Sequence, residues 1–279
     1  MLMLLLFATG LFAGTVDAIA GGGGLISLPM LLSLGVPPHV AFGTNKLQGT
    51  IGTFVAARRY YQHGLISFKI AYRGMLFGLM GSMVGAVTAQ LLGSAILYHI
   101  APVLLVLVLF YSFLSPRLGV SDHAPRMSEL VFYVLFGFAL GFYDGFFGPG
   151  VGSLWVFLLT YFLGYNLIKA TAYTKVFNLN SSLIATICFL IGGNIDYRIA
   201  LCMAAGQVIG GRLGATLAIK KGAYLVRPVF LAVVSATIVT LAYKNYTKEH
   251  HALVLVGVTM LMFASIFVYQ RRRKSAIAS

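Results

Sequence analysis

The chain has 279 residues, of which 59% are apolar and only 9% are charged, with 20 Lys and Arg against 6 Asp and Glu for a formal net charge of +14. A soluble domain carries more charge than this, so the composition excludes one and points to a polytopic membrane protein. The positive excess is spread over short loops, as in a membrane protein with basic cytoplasmic loops, and is not gathered into a nucleic-acid-binding face.

Crossing about 30 Å of hydrocarbon as helix takes roughly 17 to 25 apolar residues. Such stretches are expected at 1–19, 40–61, 67–92, 95–114, 128–146, 168–191, 197–219, 225–243 and 252–269. Two shorter ones, 25–35 and 152–163, would rise only about 16 to 18 Å as helix and read as half-helices. The first of the long stretches lacks a basic n-region and carries Asp17, so it reads as a retained helix and not a signal peptide. Cys188 and Cys202 fall in predicted membrane helices without Cys-x-x-Cys spacing, which points to packing and not to a disulfide or zinc site.

Loop charge sets the expected topology. Placing Arg58, Arg59, Lys69 and Arg73 inside puts Arg117, Arg126, Lys169, Lys220, Lys221, Arg227 and the run Arg271 to Lys274 inside as well. Arg198, Lys244 and Lys248 then fall outside. The expectation is a multi-pass inner-membrane protein with its N-terminus outside and its C-terminus in the cytoplasm.

An internal repeat appears when residues 10–24 are laid on 137–151 and residues 34–86 on 163–215. Gly10, Gly14, Asp17, Gly21 and Gly23 then coincide with Gly137, Gly141, Asp144, Gly148 and Gly150, and Lys46 falls on Lys175. Gly35, Gly64, Gly81 and Gly85 fall on Gly164, Gly193, Gly210 and Gly214. Charged residues are scarce here, so the pairing of Asp with Asp and Lys with Lys carries most of the weight. The basic loop at 58–73 matches the nearly neutral loop at 192–198, and the neutral turn at 91–95 matches the basic turn at 220–227. Equivalent loops are therefore expected on opposite sides of the membrane. This gives an all-α, polytopic integral membrane bundle of two inverted repeats with glycine-broken short helices. Repeat one is 1–114, a cytoplasmic linker 115–127, repeat two 128–243, and an additional helix with a basic tail 244–279.

Each half opens with a helix that runs into an acidic residue and a glycine cluster, Gly14 to Gly24 and then Gly141 to Gly152, the second including Pro149. Glycine costs roughly 1 kcal/mol relative to Ala inside a helix and Pro removes a donor, so both helices should break there. Broken backbone at membrane depth persists only where it is buried in protein or lines a wet cavity. The half-helices that follow would present free amides and partial positive charge to that cavity, which suits an anion. Gly21, Gly22, Gly23, Gly24, Gly148 and Gly150 are the candidate backbone donors.

Lys46, Lys175, Asp17 and Asp144 all lie in predicted membrane segments, where a charge costs at least about 2.5 kcal/mol on insertion scales. The lysines are expected to contribute charge to the anion site, with snorkelling to an interface as their bland alternative. Asn45 and Gln48 beside Lys46, and Thr174 and Asn178 around Lys175, would complete a polar lining, or serve as helix-to-helix hydrogen bonds. Asp17 and Asp144 are expected to cap the broken helices, to pair with the lysines, or to carry protons. Arg212, which falls on Met83 in the repeat, is expected to snorkel or pack.

The run Ala13-Gly14-Thr15-Val16-Asp17-Ala18-Ile19-Ala20-Gly21-Gly22-Gly23-Gly24, followed by Thr44-Asn45-Lys46-Leu47-Gln48, resembles the TauE/SafE anion exporter family and most of all its YfcA-type subgroup. The run Gly141-Phe142-Tyr143-Asp144-Gly145-Phe146-Phe147-Gly148-Pro149-Gly150, with Lys175 and Asn178 downstream, resembles the family's second half. The likeness covers residues 4 to about 243 and implies export of sulfite, sulfonates or related sulfur anions. Two departures are a first helix shorter than the family's and an added final helix.

The expected function is thus a secondary transporter moving a small sulfur oxyanion or organosulfonate outward. An anion channel or a structural, partner-binding membrane protein are the alternatives. No enzyme signal is present: there is no His-Glu-x-x-His, and the Gly21 to Gly24 cluster lacks the Gly-Lys-Ser/Thr ending of a phosphate loop. No cofactor or metal is expected. The partners are a small anion and the lipid bilayer, and nothing in the sequence points to an oligomeric state.

Overall fold

The computed structural model describes residues 1–93, 96 and 122–221. The expected spans at 95–114, 225–243 and 252–269, most of the linker and the basic tail lie outside the described residues.

Among the described residues every regular element is helical: α1 (Leu2–Ala20), α2 (Gly24–Ser33), α3 (Pro38–Gln62), α4 (Phe68–Leu91), α5 (Glu129–Phe146), α6 (Val151–Leu163), α7 (Leu167–Ile191) and α8 (Tyr197–Lys221). Each coincides with an expected stretch to within a few residues, and α2 and α6 are the short pair. Local chemistry sets several ends. Pro38 opens α3, where its missing N–H costs nothing. The Asn166 side chain caps α7 by accepting the Lys169 N–H at 2.9 Å. Gly164 closes α6 at φ 72, a conformation that a Cβ disfavours. One feature lies outside the expectation: α5 carries a π-helical turn at Tyr133–Gly137.

Among the described residues five helices, α1, α4, α5, α7 and α8, are long and apolar enough to cross a membrane. Helix α3 matches α7 in length, but it carries Asn45, Lys46, Gln48, Thr50 and Thr53, all buried. It is a central element shielded by its neighbours. The outer helices do the reverse of a soluble fold and turn large apolar side chains outward, such as Leu76, Met80, Met83 and Val87 on α4 and Leu201, Val208, Ile209 and Leu213 on α8. Arg212 is among the exposed residues of α8. These surfaces match a lipid environment, in which helix association relies on close packing of small residues.

Glycine supplies that close packing. Gly10 and Gly14 of α1 lie on the backbone of Met203 and Gln207, while Gly206, Gly210 and Gly214 of α8 lie on Phe7, Leu11 and Thr15. The two helices therefore run parallel. Gly141 and Gly145 of α5 lie on Gly78 and Ser82, and Gly81 and Gly85 of α4 on Phe138 and Phe142, again a parallel pair. A Cβ on Gly210 would come within 2.1 Å of the Leu11 carbonyl oxygen, and one on Gly81 within 2.1 Å of the Phe138 oxygen. In the repeat register Leu11 coincides with Phe138, so the two halves exchange equivalent contacts.

The central helices give the relative directions. Gly43 lies beside Phe189 and Thr50 bonds Thr186 at 3.1 Å, so α3 and α7 are antiparallel. Gln48 meets Gln207, Gly52 meets Gly211 and Arg59 meets Thr216, so α3 is parallel to α8. Gly74 meets Phe177 and Ser82 meets Ser181, so α4 is parallel to α7. Helices α1, α3 and α8 thus point one way and α4, α5 and α7 the other. Arg58, Arg59, Lys69, Arg73, Arg126, Lys169, Lys220 and Lys221 then gather at one end of the bundle, and Arg198 lies at the other.

Replacing Gly210 or Gly81 by Leu should lower the thermal midpoint in detergent by roughly 5 °C or more, because overpacking at a backbone contact costs about 1 to 3 kcal/mol. Among the described residues nothing lies within 4 Å of the would-be Cβ of Gly49, so Gly49→Ala should leave the midpoint unchanged. Equal losses in all three, read by size-exclusion thermostability, would refute the contact account.

Candidate functional site

Both expected helix breaks are present, and they touch. Helix α1 ends at Ala20, and Gly21 turns away at φ 75 while its N–H bonds the Asp17 carbonyl at 2.8 Å. Gly22 and Gly23 form the turn before α2. The second break runs through Gly148 at φ 97 and Gly150 at φ 81 into α6. These positive φ values fit glycine and strain other residues. A Cβ on Gly21 would fall 2.6 Å from the Gly152 backbone and one on Gly24 3.0 Å from Pro149. The Ser153 hydroxyl donates to the Ala20 carbonyl at 3.0 Å, tying the start of α6 to the end of α1.

Between the breaks lies a cavity of ≈ 50 Å³. Gly21, Gly23, Gly24, Gly148, Gly150 and Val151 line it from the breaks, Asn45, Lys46, Gln48, Gly49 and Thr53 from α3, and Asn178 and Ser182 from α7. Asp17, Asp144 and Gln207 complete the wall. The start of α2 and the start of α6 both border this space, so two helix N-termini and their partial positive charge meet at one point.

The four charges form two pairs, one fully buried and one in which Asp17 is half-buried. Lys46 Nζ lies 2.6 Å from Asp144 Oδ1, and Lys175 Nζ lies 2.8 Å from Asp17 Oδ2. Each pair joins a lysine of one half to the aspartate of the other. The lysines are 3% and 0% exposed, so neither snorkels. Asp144 also accepts a hydrogen bond from Ser181, while Asp17 accepts the Gly23 N–H and the Thr53 hydroxyl, both at 3.4 Å. Asp17 is therefore a cap and an ion-pair partner at once, and Asp144 is chiefly a partner. Removing one member of such a pair strands the other and costs about 3 to 5 kcal/mol.

Three of the expected site residues stand apart from the cavity wall. Gly22 is buried in its turn and accepts the Leu25 N–H at 3.1 Å. Thr174 is fully buried with its hydroxyl unpartnered, and Lys175 is enclosed by Asp17. The cavity also includes residues that sequence reasoning passed over. Gln207 donates to Gln48, whose own amide donates to Asn45 Oδ1 at 2.8 Å, and Ser27 donates to the same oxygen at 2.5 Å. In the repeat register Gln207 coincides with Gly78, so comparing the halves could not single it out. A buried Gln within a glycine-rich helix is the only local sign. Asn178 Oδ1 is buried without a partner on the same wall.

The profile of the family described as "Sulfite exporter TauE/SafE" matches residues 6–241. A "Probable membrane transporter protein" of Haemophilus influenzae is 40% identical over 227 residues, 81% of this chain and 89% of that protein. The "Probable membrane transporter protein YfcA" of Escherichia coli K12 is 35% identical over 249 residues, 89% and 93% of the two chains. The "Probable membrane transporter protein YunE" of Bacillus subtilis is 26% identical over 247 residues, 78% and 89% of the two chains. No solved structure gives a significant match. These relatives are described as transporters and not as enzymes, and the chain, with its glycine-broken helices and membrane-facing surface, belongs to the sulfite exporter TauE/SafE family.

Proposed function

We propose that this transporter carries a small anion, a sulfur oxyanion or organosulfonate, outward across the inner membrane through the cavity between the two breaks. The observation that carries the reading is the convergence of two helix N-termini and Lys46 on one small polar cavity. The ion pairs balance their own charges, so the attraction for an anion comes from the helix ends and from lysine N–H groups not used by the aspartates. Gly49 and the break glycines keep the walls back. The family's description as a sulfite exporter supports a sulfur oxyanion over a carboxylate.

The two halves act as an inverted repeat in this reading. The antiparallel course of α3 and α7, and the opposite directions of α1 and α5, support it. The gathering of basic residues at one end supports a cytoplasmic placement of that end and an outer N-terminus. A membrane that is negative inside then drives export by itself. Each charge moved is worth about 2.3 kcal/mol per 100 mV, which sustains a roughly fiftyfold gradient of a monovalent anion.

Gly49→Leu fills the cavity from a position with open space above it. In proteoliposomes supplied with sulfite under an imposed voltage, it should weaken apparent affinity roughly tenfold or more while the protein stays folded. Flux equal to wild type would place the pathway elsewhere, and a wild-type protein that moves no anion would refute the transport reading.

Single cysteines in the 58–73 loop should react with an impermeant reagent only from the cytoplasmic side, and those at 192–198 only from outside. Labelling of both from one side would overturn the inverted arrangement.

A further inference from the structure

The two lysines are equivalent in sequence but not in surroundings. Among the described residues Lys46 Nζ makes a single hydrogen bond, to Asp144 Oδ1 at 2.6 Å, and it borders the cavity. An ammonium has three donors, so two of them stay uncommitted. Gly148, in the second break, lies directly against it: a Cβ there would sit 2.5 Å from Lys46 Nζ. Lys175 is 0% exposed, does not border the cavity, and donates to both the carbonyl and the carboxylate of Asp17. The Asp17 carbonyl also receives the Gly21 N–H that ends α1, and its carboxylate receives the Gly23 N–H that leads into α2. At the first break the counterpart of Gly148, Gly21, has the backbone of Gly152 and Ser153 as its nearest neighbours.

We propose that Lys46 alone contacts the transported anion, and that Lys175 is a positioning residue that holds the first helix break in shape through Asp17. This division of labour rests on the transport reading above. It gives symmetry-related residues different tasks. The Lys46 ammonium, held on one side by Asp144, offers its remaining N–H groups to an oxyanion, together with the partial positive charge at the start of α6. The Lys175 ammonium is consumed by Asp17, and its contribution to binding is indirect, through the placement of Gly21 and Gly23 on the cavity wall.

Two double variants test this, each removing one pair without stranding a charge: Lys46→Gln with Asp144→Asn, and Lys175→Gln with Asp17→Asn. Sulfite is the probe, read by the concentration dependence of flux in proteoliposomes and by the rise in thermal midpoint in detergent. The first variant should raise KM roughly tenfold to a hundredfold, the share of one charge-assisted hydrogen bond, and should lose the sulfite-induced rise. The second should keep KM within about threefold and keep that rise, while its maximal rate and its midpoint without sulfite both fall. A KM shifted alike in both variants, or shifted only in the second, overturns the proposal. If the second variant yields no folded protein, the first decides alone, and an unchanged KM there overturns it. A wild-type protein with neither sulfite flux nor a sulfite-induced rise refutes the transport reading and this inference with it. A wild type that responds while the variants behave alike refutes only the division of labour.

Discussion

An ammonium or carboxylate at membrane depth is expensive unless it meets an opposite charge, and here each lysine meets its aspartate only across the boundary between the halves. Lys46 on α3 needs Asp144 on α5, and Lys175 on α7 needs Asp17 on α1. Either half folded alone would leave a buried charge without its partner, at about 3 to 5 kcal/mol for each broken pair. The reciprocal pairs thus make the two halves one unit. They also bring the ends of α1 and α5 against the central helices, and so determine where the glycine breaks lie.

Glycine makes that arrangement geometrically possible in two distinct ways. Along α1 with α8 and α4 with α5, it removes side chains so that backbones approach within van der Waals contact, the main source of helix association in lipid. At Gly21, Gly148 and Gly150 it permits positive φ, which lets the chain leave one helix and start another within a few residues. The breaks meet because Gly21 and Gly152 both lack a Cβ. Their meeting leaves a small polar space at the start of two helices, where partial positive charge does not have to be supplied by an unpaired side chain.

That division between fixed and available charge shapes the functional reading. A site built from fully paired lysines would be neutral and indifferent to anions. One built from unpaired lysines would be too costly to bury. In the proposed reading the site lies between these limits, with the aspartates offsetting the burial cost while the helix ends and the uncommitted donors of Lys46 favour an anion. The hydrogen-bonded chain from Gln207 through Gln48 to Asn45 stiffens the wall that α3 and α8 contribute, since each amide is oriented by the next.

Much of this was legible in the sequence. Apolar stretches of membrane length reported the helices, because lipid requires every backbone group to bond within its own segment. Gly-rich runs reported the breaks, because helix propensity is local. Scarce charges at repeat-related positions reported Lys46, Lys175, Asp17 and Asp144 as a set. What the sequence left open was how the set combines. Capping, pairing and proton transfer all fitted the aspartates and snorkelling fitted the lysines, and only the tertiary structure shows each lysine paired across the halves, with Asp17 also bonding the Gly23 N–H. Gln207 and Ser27 were invisible for the same reason: their importance comes from what α8 and α2 are packed against, not from any periodicity. The difference between Lys46 and Lys175 lies furthest from the sequence, since it depends on which ammonium borders the cavity and how many of its donors the paired aspartate takes up. Patterns of composition record what each segment must do in lipid, whereas partner choice among buried polar groups is settled by distances between segments, and those exist only once the chain has packed.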